Sequence, residues 1–411
     1  MDRYMRNLLG RKISFGKHEA RASEWLFLAA LTVLAVALRI SVRSFVADDW
    51  STYWSAWLAE LETNGFKALA GNFYDYAPPV MYILYLITLL PINAMTAFKG
   101  LCCLLELIGA AVIAGIVKEC TGSKKKAHLS YGIFLFLPTV ILNASVWSQC
   151  DIIYTLLILC SAYFLLKNRT WTGMWFYGAA FAVKLQTLFI FPLLVILWVR
   201  KRLDLKHFIT IPAMYLLGIL PAWIAGRPFM ELIGIYAFQG SKDRWSLSIK
   251  FPNIYQIIGN QYFLLEYASS GTWLILGILM ILMYAMARKR YRITNEFIVQ
   301  MALFFAILTP YFLPHMHERY GCVADILAII YALMNIKKFY FPLAHILISF
   351  NCYMAYLSHL GSDEPAIYYG VWAFAELGLL ILVGLDVWNY LKNPDNQLPD
   401  SQLSVKGKEA A

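Results

Sequence analysis

Residues 25–42 read WLFLAALTVLAVALRISV, with Arg39 as the one charged side chain in the run. At about 1.5 Å of rise per residue, an apolar helix of this length crosses a hydrocarbon core roughly 30 Å thick. A mostly polar stretch precedes it, which is unlike a cleavable signal, so the run reads as a retained transmembrane helix. Comparable apolar runs recur toward the C-terminus. Across 411 residues the chain is 60% hydrophobic, 16% aromatic and only 15% charged. A water-soluble domain needs roughly a quarter of its residues charged, so a soluble enzyme with an anchor is excluded.

Arg3, Arg6, Arg11, Lys12, Lys17 and Arg21 precede the first run and place the N-terminus in the cytoplasm. The short run 80–90, closed by Pro91, reads as an interfacial or re-entrant helix, because a full crossing would put Lys124, Lys125 and Lys126 outside. Further spans are expected near 98–117, 128–146, 151–166, 171–184, 186–199, 207–225, 271–287, 295–312, 320–336, 339–358 and 365–390. The pair between Trp171 and Val199 is short and interrupted by Lys184 and Pro192, as in broken helices. This threading leaves 25 Lys/Arg in cytoplasmic segments, against eight outside and two within spans. The expected fold class is all-α integral membrane, a bundle of about 12 transmembrane helices with interfacial helices in the first long external loop. Residues 1–23 form a basic cytoplasmic tail and 24–391 the transmembrane domain. Its long external loops are 43–97 and 226–270, and 392–411 is a polar cytoplasmic tail.

The formal charge of +10 belongs to the cytoplasmic loops, and no basic cluster is interleaved with stacking aromatics, which argues against nucleic acid. The seven cysteines are scattered through or beside apolar runs without a CxxC pair and read as small hydrophobes.

With this orientation the unusual polar residues fall on the outer face. The first loop carries Asp48, Asp49 and later Tyr74-Asp75-Tyr76-Ala77-Pro78-Pro79. Between them Tyr53, Trp54, Trp57, Leu58 and Leu61 recur at helical spacing, as in an amphipathic helix lying in the interface. Trp147-Ser148-Gln149-Cys150-Asp151, Lys184, Gln186, Arg244 and Pro314-His315-Met316-His317-Glu318-Arg319 reach the same side. Ionisable groups at membrane depth are costly and mark functional sites. Their bland alternatives are solvated loop acids or helix caps for Asp48 and Asp49, and caps for Asp75 and Asp151. The cluster from His315 to Arg319 has the weakest structural explanation. Two histidines one helical turn apart with a glutamate between them are absent, so no transition-metal site is expected. Asp48 and Asp49 remain a candidate seat for a divalent cation with phosphate oxygens.

These motifs resemble membrane glycosyltransferases of the GT-C class. They are similar in particular to a bacterial relative of the lipid-linked-oligosaccharide glucosyltransferases and of the second mannosyltransferase of GPI-anchor assembly. The resemblance rests on Asp49, the aromatic stretch Trp50 to Trp57, Tyr76-Ala77-Pro78-Pro79, Trp147-Ser148-Gln149-Cys150-Asp151, Lys184-Leu185-Gln186 and His315-Met316-His317-Glu318-Arg319. It covers roughly Trp25 to Lys338 and departs at Leu185, where relatives often have Lys and Gln adjacent.

The resemblance implies transfer of a hexose, glucose or mannose, from a polyprenyl-phosphate sugar to an acceptor hydroxyl of a glycan or glycolipid at the outer face. Asp49, or failing it Asp48, would be the base that takes the hydroxyl proton. Arg319 with His315 or His317, and Lys184, would hold the phosphate. Asp75, Tyr76, Gln149, Asp151, Gln186, Glu318 and Arg244 would support the substrates. One base with direct displacement would invert the anomeric centre. The compact loops point to a bacterial plasma membrane and undecaprenyl phosphate; in a eukaryote the location would be the ER. The alternatives are a transporter or flippase, or a polymerase or ligase, of lipid-linked saccharides. Matched repeats are absent and Glu106 is the only carboxylate well inside an early span, both of which argue against transport.

Overall fold

The computed structural model describes residues 11–15, 18–242, 246–258, 267–289, 291–358 and 369–397. An antiparallel hairpin of β1 (Lys12–Phe15) and β2 (His18–Arg21) leads into α1 (Ala22–Ser41). Next come α2 (Ser55–Asn64), α3 (Pro78–Thr88), α4 (Ala94–Thr121), α5 (Lys124–Leu135), α6 (Asp151–Leu166) and α7 (Thr170–Val183). They are followed by α8 (Phe191–Val199), α9 (Thr210–Ala225), α10 (Ala268–Arg288) and α11 (Asn295–Phe312). The last are α12 (Cys322–Met334), α13 (Tyr340–Ser358) and α14 (Tyr369–Lys392).

Local chemistry sets the boundaries. The Asn93 side chain accepts from Thr96 N at 3.1 Å to open α4, which closes at Gly122 with φ of 67°. Ser123 then caps α5 through Lys126 N at 3.3 Å, giving a tight reversal between two packed helices. Pro78 and Pro79 open α3, where their missing N–H groups cost nothing.

Among the described residues six helices are long and apolar enough to cross a membrane, or seven if the bent pair Lys124–Leu135 and Pro138–Val146 is one span. The chain is a multi-pass membrane protein. Apolar run length alone leads one to expect about twelve crossings. Between the long ones lie shorter apolar helices, among them Pro78–Thr88, Asp151–Leu166 and Cys322–Met334. The reason is local: Pro138 follows a 43° bend, and the chain is extended at Lys184 before a 3₁₀ turn. Hydropathy counts apolar length and is blind to such breaks. The α3 helix has 11 residues, which is about 16 Å of rise and half a hydrocarbon core.

α11 and α12 are buried nearly all round, at the centre, whereas α1, α9 and α10 keep most of their apolar surface exposed. Leu34, Ile224, Trp273 and Ile281 are among the exposed side chains, a surface suited to lipid. The apolar side of the segment after Asp49 faces the bundle. Trp54, Trp57, Leu58 and Leu61 are buried against the protein, and Tyr53 is exposed. Trp54 packs on Phe98 of α4 with ring centroids 4.9 Å apart, so this segment is fastened to the bundle.

Candidate active site

Asp49 opens a π-helical turn, Trp50–Trp54, without using its side chain as a cap. Its carboxylate instead accepts from Trp147 Nε1 at 3.0 Å and from Gln149 Nε2 at 2.6 Å. The Gln149 carbonyl accepts in turn from the Tyr76 hydroxyl at 3.0 Å. Burial pushes the Tyr76 phenol well above its ordinary pKa, so it stays a neutral donor. The donors from Trp147 and Gln149 follow a second π-helical turn, Ile141–Val146, and flank Ser148 at φ of 64°. Wide helical turns and left-handed non-glycine residues are unfavourable locally and concentrate at functional sites.

Asp151 is the first residue of α6, yet its side chain caps nothing there. It pairs with Lys184, accepts from Asn143 Nδ2 at 2.8 Å and lies 3.5 Å from Arg319 Nε. Lys184 is buried where α7 ends, with its ammonium 5.5, 5.4 and 5.6 Å from the ring centroids of Tyr76, Tyr154 and Tyr320. Carboxylate and ring faces together compensate a desolvated ammonium.

The loop between α11 and α12 is held from outside by the long loop after α9. His315, at φ of 62°, donates through its backbone N–H to Leu247 O at 2.7 Å and through Nδ1 to Ser246 O at 2.6 Å. Two short parallel strands, β3 (Ser248–Ile249) and β4 (Met316–His317), complete the clasp. Beyond it Arg319 Nη1 donates to Glu318 Oε1 at 2.9 Å, and His317 Nδ1 lies 3.7 Å from Glu318 Oε2. Burial raises the Glu318 pKa, but His317 and the Arg319 guanidinium outweigh it and hold the carboxyl below its ordinary value. The Arg319 guanidinium sits 5.2 Å from the Trp147 ring, whose N–H serves Asp49.

Eight residues singled out in the sequence thus form one connected network: Asp49, Tyr76, Gln149, Asp151, Lys184, His317, Glu318 and Arg319. Asp48 is exposed, and its backbone carbonyl accepts from Ser51 Oγ at 3.0 Å. Asp75 is exposed as well, with its carbonyl accepting from Gln239 Nε2 at 2.6 Å, while the N-cap of α3 is Ala77. Gln186 lies in the 3₁₀ turn after Lys184 with a buried Oε1 that lacks a hydrogen-bond partner. His315 is engaged with the loop after α9, and Arg244 lies outside the described residues. Among the described residues no group of three or more His, Cys, Asp or Glu could hold a metal ion.

Sequence reasoning missed Asn143 and Tyr154, which line Asp151 and Lys184 from within apolar runs. It also missed a buried cluster on three helices. His345 Nδ1 lies 3.1 Å from Glu376 Oε2, and its Nε2 lies 3.6 Å from Asp325 Oδ1. Glu106, the carboxylate of an early span, pairs with Arg39, and Asp325 and Glu376 add buried acids in the late helices. Scarcity of intramembrane acids no longer counts against a transporter. A polar residue inside an apolar run was the signal for both.

The overall fold is similar to that of the crystal structure of ArnT from Cupriavidus metallidurans bound to undecaprenyl phosphate. The likeness has a TM-score of 0.55 and covers 90% of this chain and 78% of that one, at 14% sequence identity. This is a multi-pass helical protein of ArnT-like fold. No family model matches the sequence, and no curated protein does.

Proposed function

We propose that this protein is a membrane glycosyltransferase of the GT-C class, transferring a hexose, glucose or mannose, from a polyprenyl-phosphate sugar to an acceptor hydroxyl on the extracytoplasmic face. The observation that carries the reading is the Asp49 carboxylate, fixed by Trp147 and Gln149 beside the same indole that Arg319 packs against. Asp49 takes the hydroxyl proton as the acceptor oxygen attacks C1 of the sugar. The bond from C1 to the phosphate oxygen breaks, and the leaving phosphate takes the electron pair. Arg319, oriented by Glu318 and Asp151, meets that charge with preorganised donors. Attack from the face opposite the phosphate inverts the anomeric centre.

Lys184 serves chiefly to hold Asp151, since its ammonium is enclosed by that carboxylate and three tyrosine rings. The network carries three carboxylates against two fixed cations, and His317, when protonated, supplies further positive charge beside Glu318. Likeness to a fold that holds undecaprenyl phosphate in a solved structure supports a polyprenyl phosphate as the lipid. The apolar outer surfaces of α1, α9 and α10 supply a scaffold on which such a tail and its reaction meet.

The test uses purified protein in detergent with radiolabelled undecaprenyl-phosphate glucose and undecaprenyl-phosphate mannose, and membrane glycolipid as acceptor. Label passing covalently into acceptor supports the reading. A protein that moves these lipids across sealed vesicles yet transfers no label in detergent would be a transporter.

A further inference from the structure

We infer that Lys99 is a positioning residue for the Asp49 base, a role resting on the function proposed above. Lys99, one of the eight Lys/Arg that the threading places outside, lies near the start of α4, buried, with its ammonium turned onto backbone carbonyls. Nζ donates to Phe45 O at 2.6 Å and Arg43 O at 3.1 Å, and lies 3.5 Å from Val146 O. The first two belong to the chain leading into Asp49. The third immediately precedes Trp147, a donor to Asp49.

One face of α4 makes the remaining attachments. Phe98 packs against Trp54 and Trp50, with centroids 4.9 and 5.8 Å away, just after Asp49. Cys102 Sγ lies 3.9 Å from the backbone carbonyl oxygen of Gln149, the second donor itself. Residues 98, 99 and 102 of one helix thereby hold both the base segment and the donor segment on both sides of their meeting point.

The choice of lysine is informative. Burying an ammonium is costly, and an apolar side chain would pack there more cheaply. Irregular backbone at membrane depth, however, must have its carbonyls satisfied from within the protein. Lys99 does this for two segments at once. Lys99 thus ties the two segments directly to each other, and their separation governs the reach of Trp147 and Gln149 to Asp49. Lys99 touches neither sugar nor phosphate in this arrangement; it acts through Asp49.

The experiment compares native protein with Lys99→Met, which keeps the stem and removes the donors, and with Lys99→Arg, which restores several. Hydrogen–deuterium exchange in detergent needs no substrate. In Lys99→Met, exchange in 43–50 and 144–150 should rise about fivefold or more while that of 322–334 stays unchanged. With undecaprenyl-phosphate glucose or mannose as donor, kcat should fall about tenfold or more, with KM for the lipid within about twofold. Lys99→Arg should recover at least a third of native kcat. Should Lys99→Met not yield monodisperse protein, Lys99→Gln is read by the same measures. Unchanged exchange in both segments, a loss confined to KM, or an Arg variant as impaired as Met would each overturn the inference. Loosened segments in a protein whose native form transfers neither sugar would leave the Lys99 clamp standing and remove the proposed activity.

Discussion

Asp49 and Gln149 stand 100 residues apart in the chain, and their side chains meet at 2.6 Å. The carboxylate is thereby fixed in direction before any substrate arrives, with Arg319 and Asp151 a few ångströms beyond the shared indole.

Asp49→Asn should lower sugar transfer by about 10³-fold, within the range for removing a general base, while retaining lipid-donor binding. Asp48→Asn, at an exposed neighbour, should stay within about twofold of native, in line with surface substitutions. Transfer rates of the two variants side by side decide the assignment; a reversed order would move the base to Asp48.

Arg319→Ala should cost about 10²–10³ in kcat, the usual effect of losing a donor aimed at developing charge. Arg319→Lys should restore little, because a point charge cannot serve Glu318, Asp151 and a phosphate from one planar group. Steady-state kinetics with titrated lipid donor check this. Recovery by lysine to near-native turnover would mean that charge alone matters.

Lys184 and Asp151 should behave as one unit in stability. Lys184→Met or Asp151→Asn alone strands a buried charge, a loss of about 3–5 kcal/mol. Combining them should cost clearly less than the two losses added together, as in a coupled pair. Thermal unfolding in detergent of the four proteins gives the coupling; strict additivity would rule it out.

Glu318 supplies a pH dependence whose sign follows from its lowered pKa. A carboxylate held below its ordinary value of 4.5 stabilises the folded state above that value, and the contribution fades as pH falls through the lower folded one. Relative to Glu318→Gln, native protein should unfold at a higher temperature by a constant margin from pH 7 to pH 5. The margin should close as the pH is taken below about 4. A gap that widens on acidification would reverse the electrostatic account.

Two kinds of information separate at this site. The membrane class, its orientation expectation and the gathering of polar motifs toward one end were legible in the chain alone, because apolar run length, Lys/Arg bias and loop position are local or summed properties. The short α3 was legible for the same reason, from its length and Pro91. Folding together in three dimensions decided the rest. Asp48 and Asp49 are chemically identical neighbours, and only the course of the backbone between α1 and α4 turns one outward and the other onto Trp147 and Gln149. The chain alone shows Lys184 at a helix break and Lys99 near a helix start, but not the three tyrosine rings around the first or the backbone carbonyls that receive the second. Side-chain direction and pairing depend on partners tens to hundreds of residues away, and no local pattern records them.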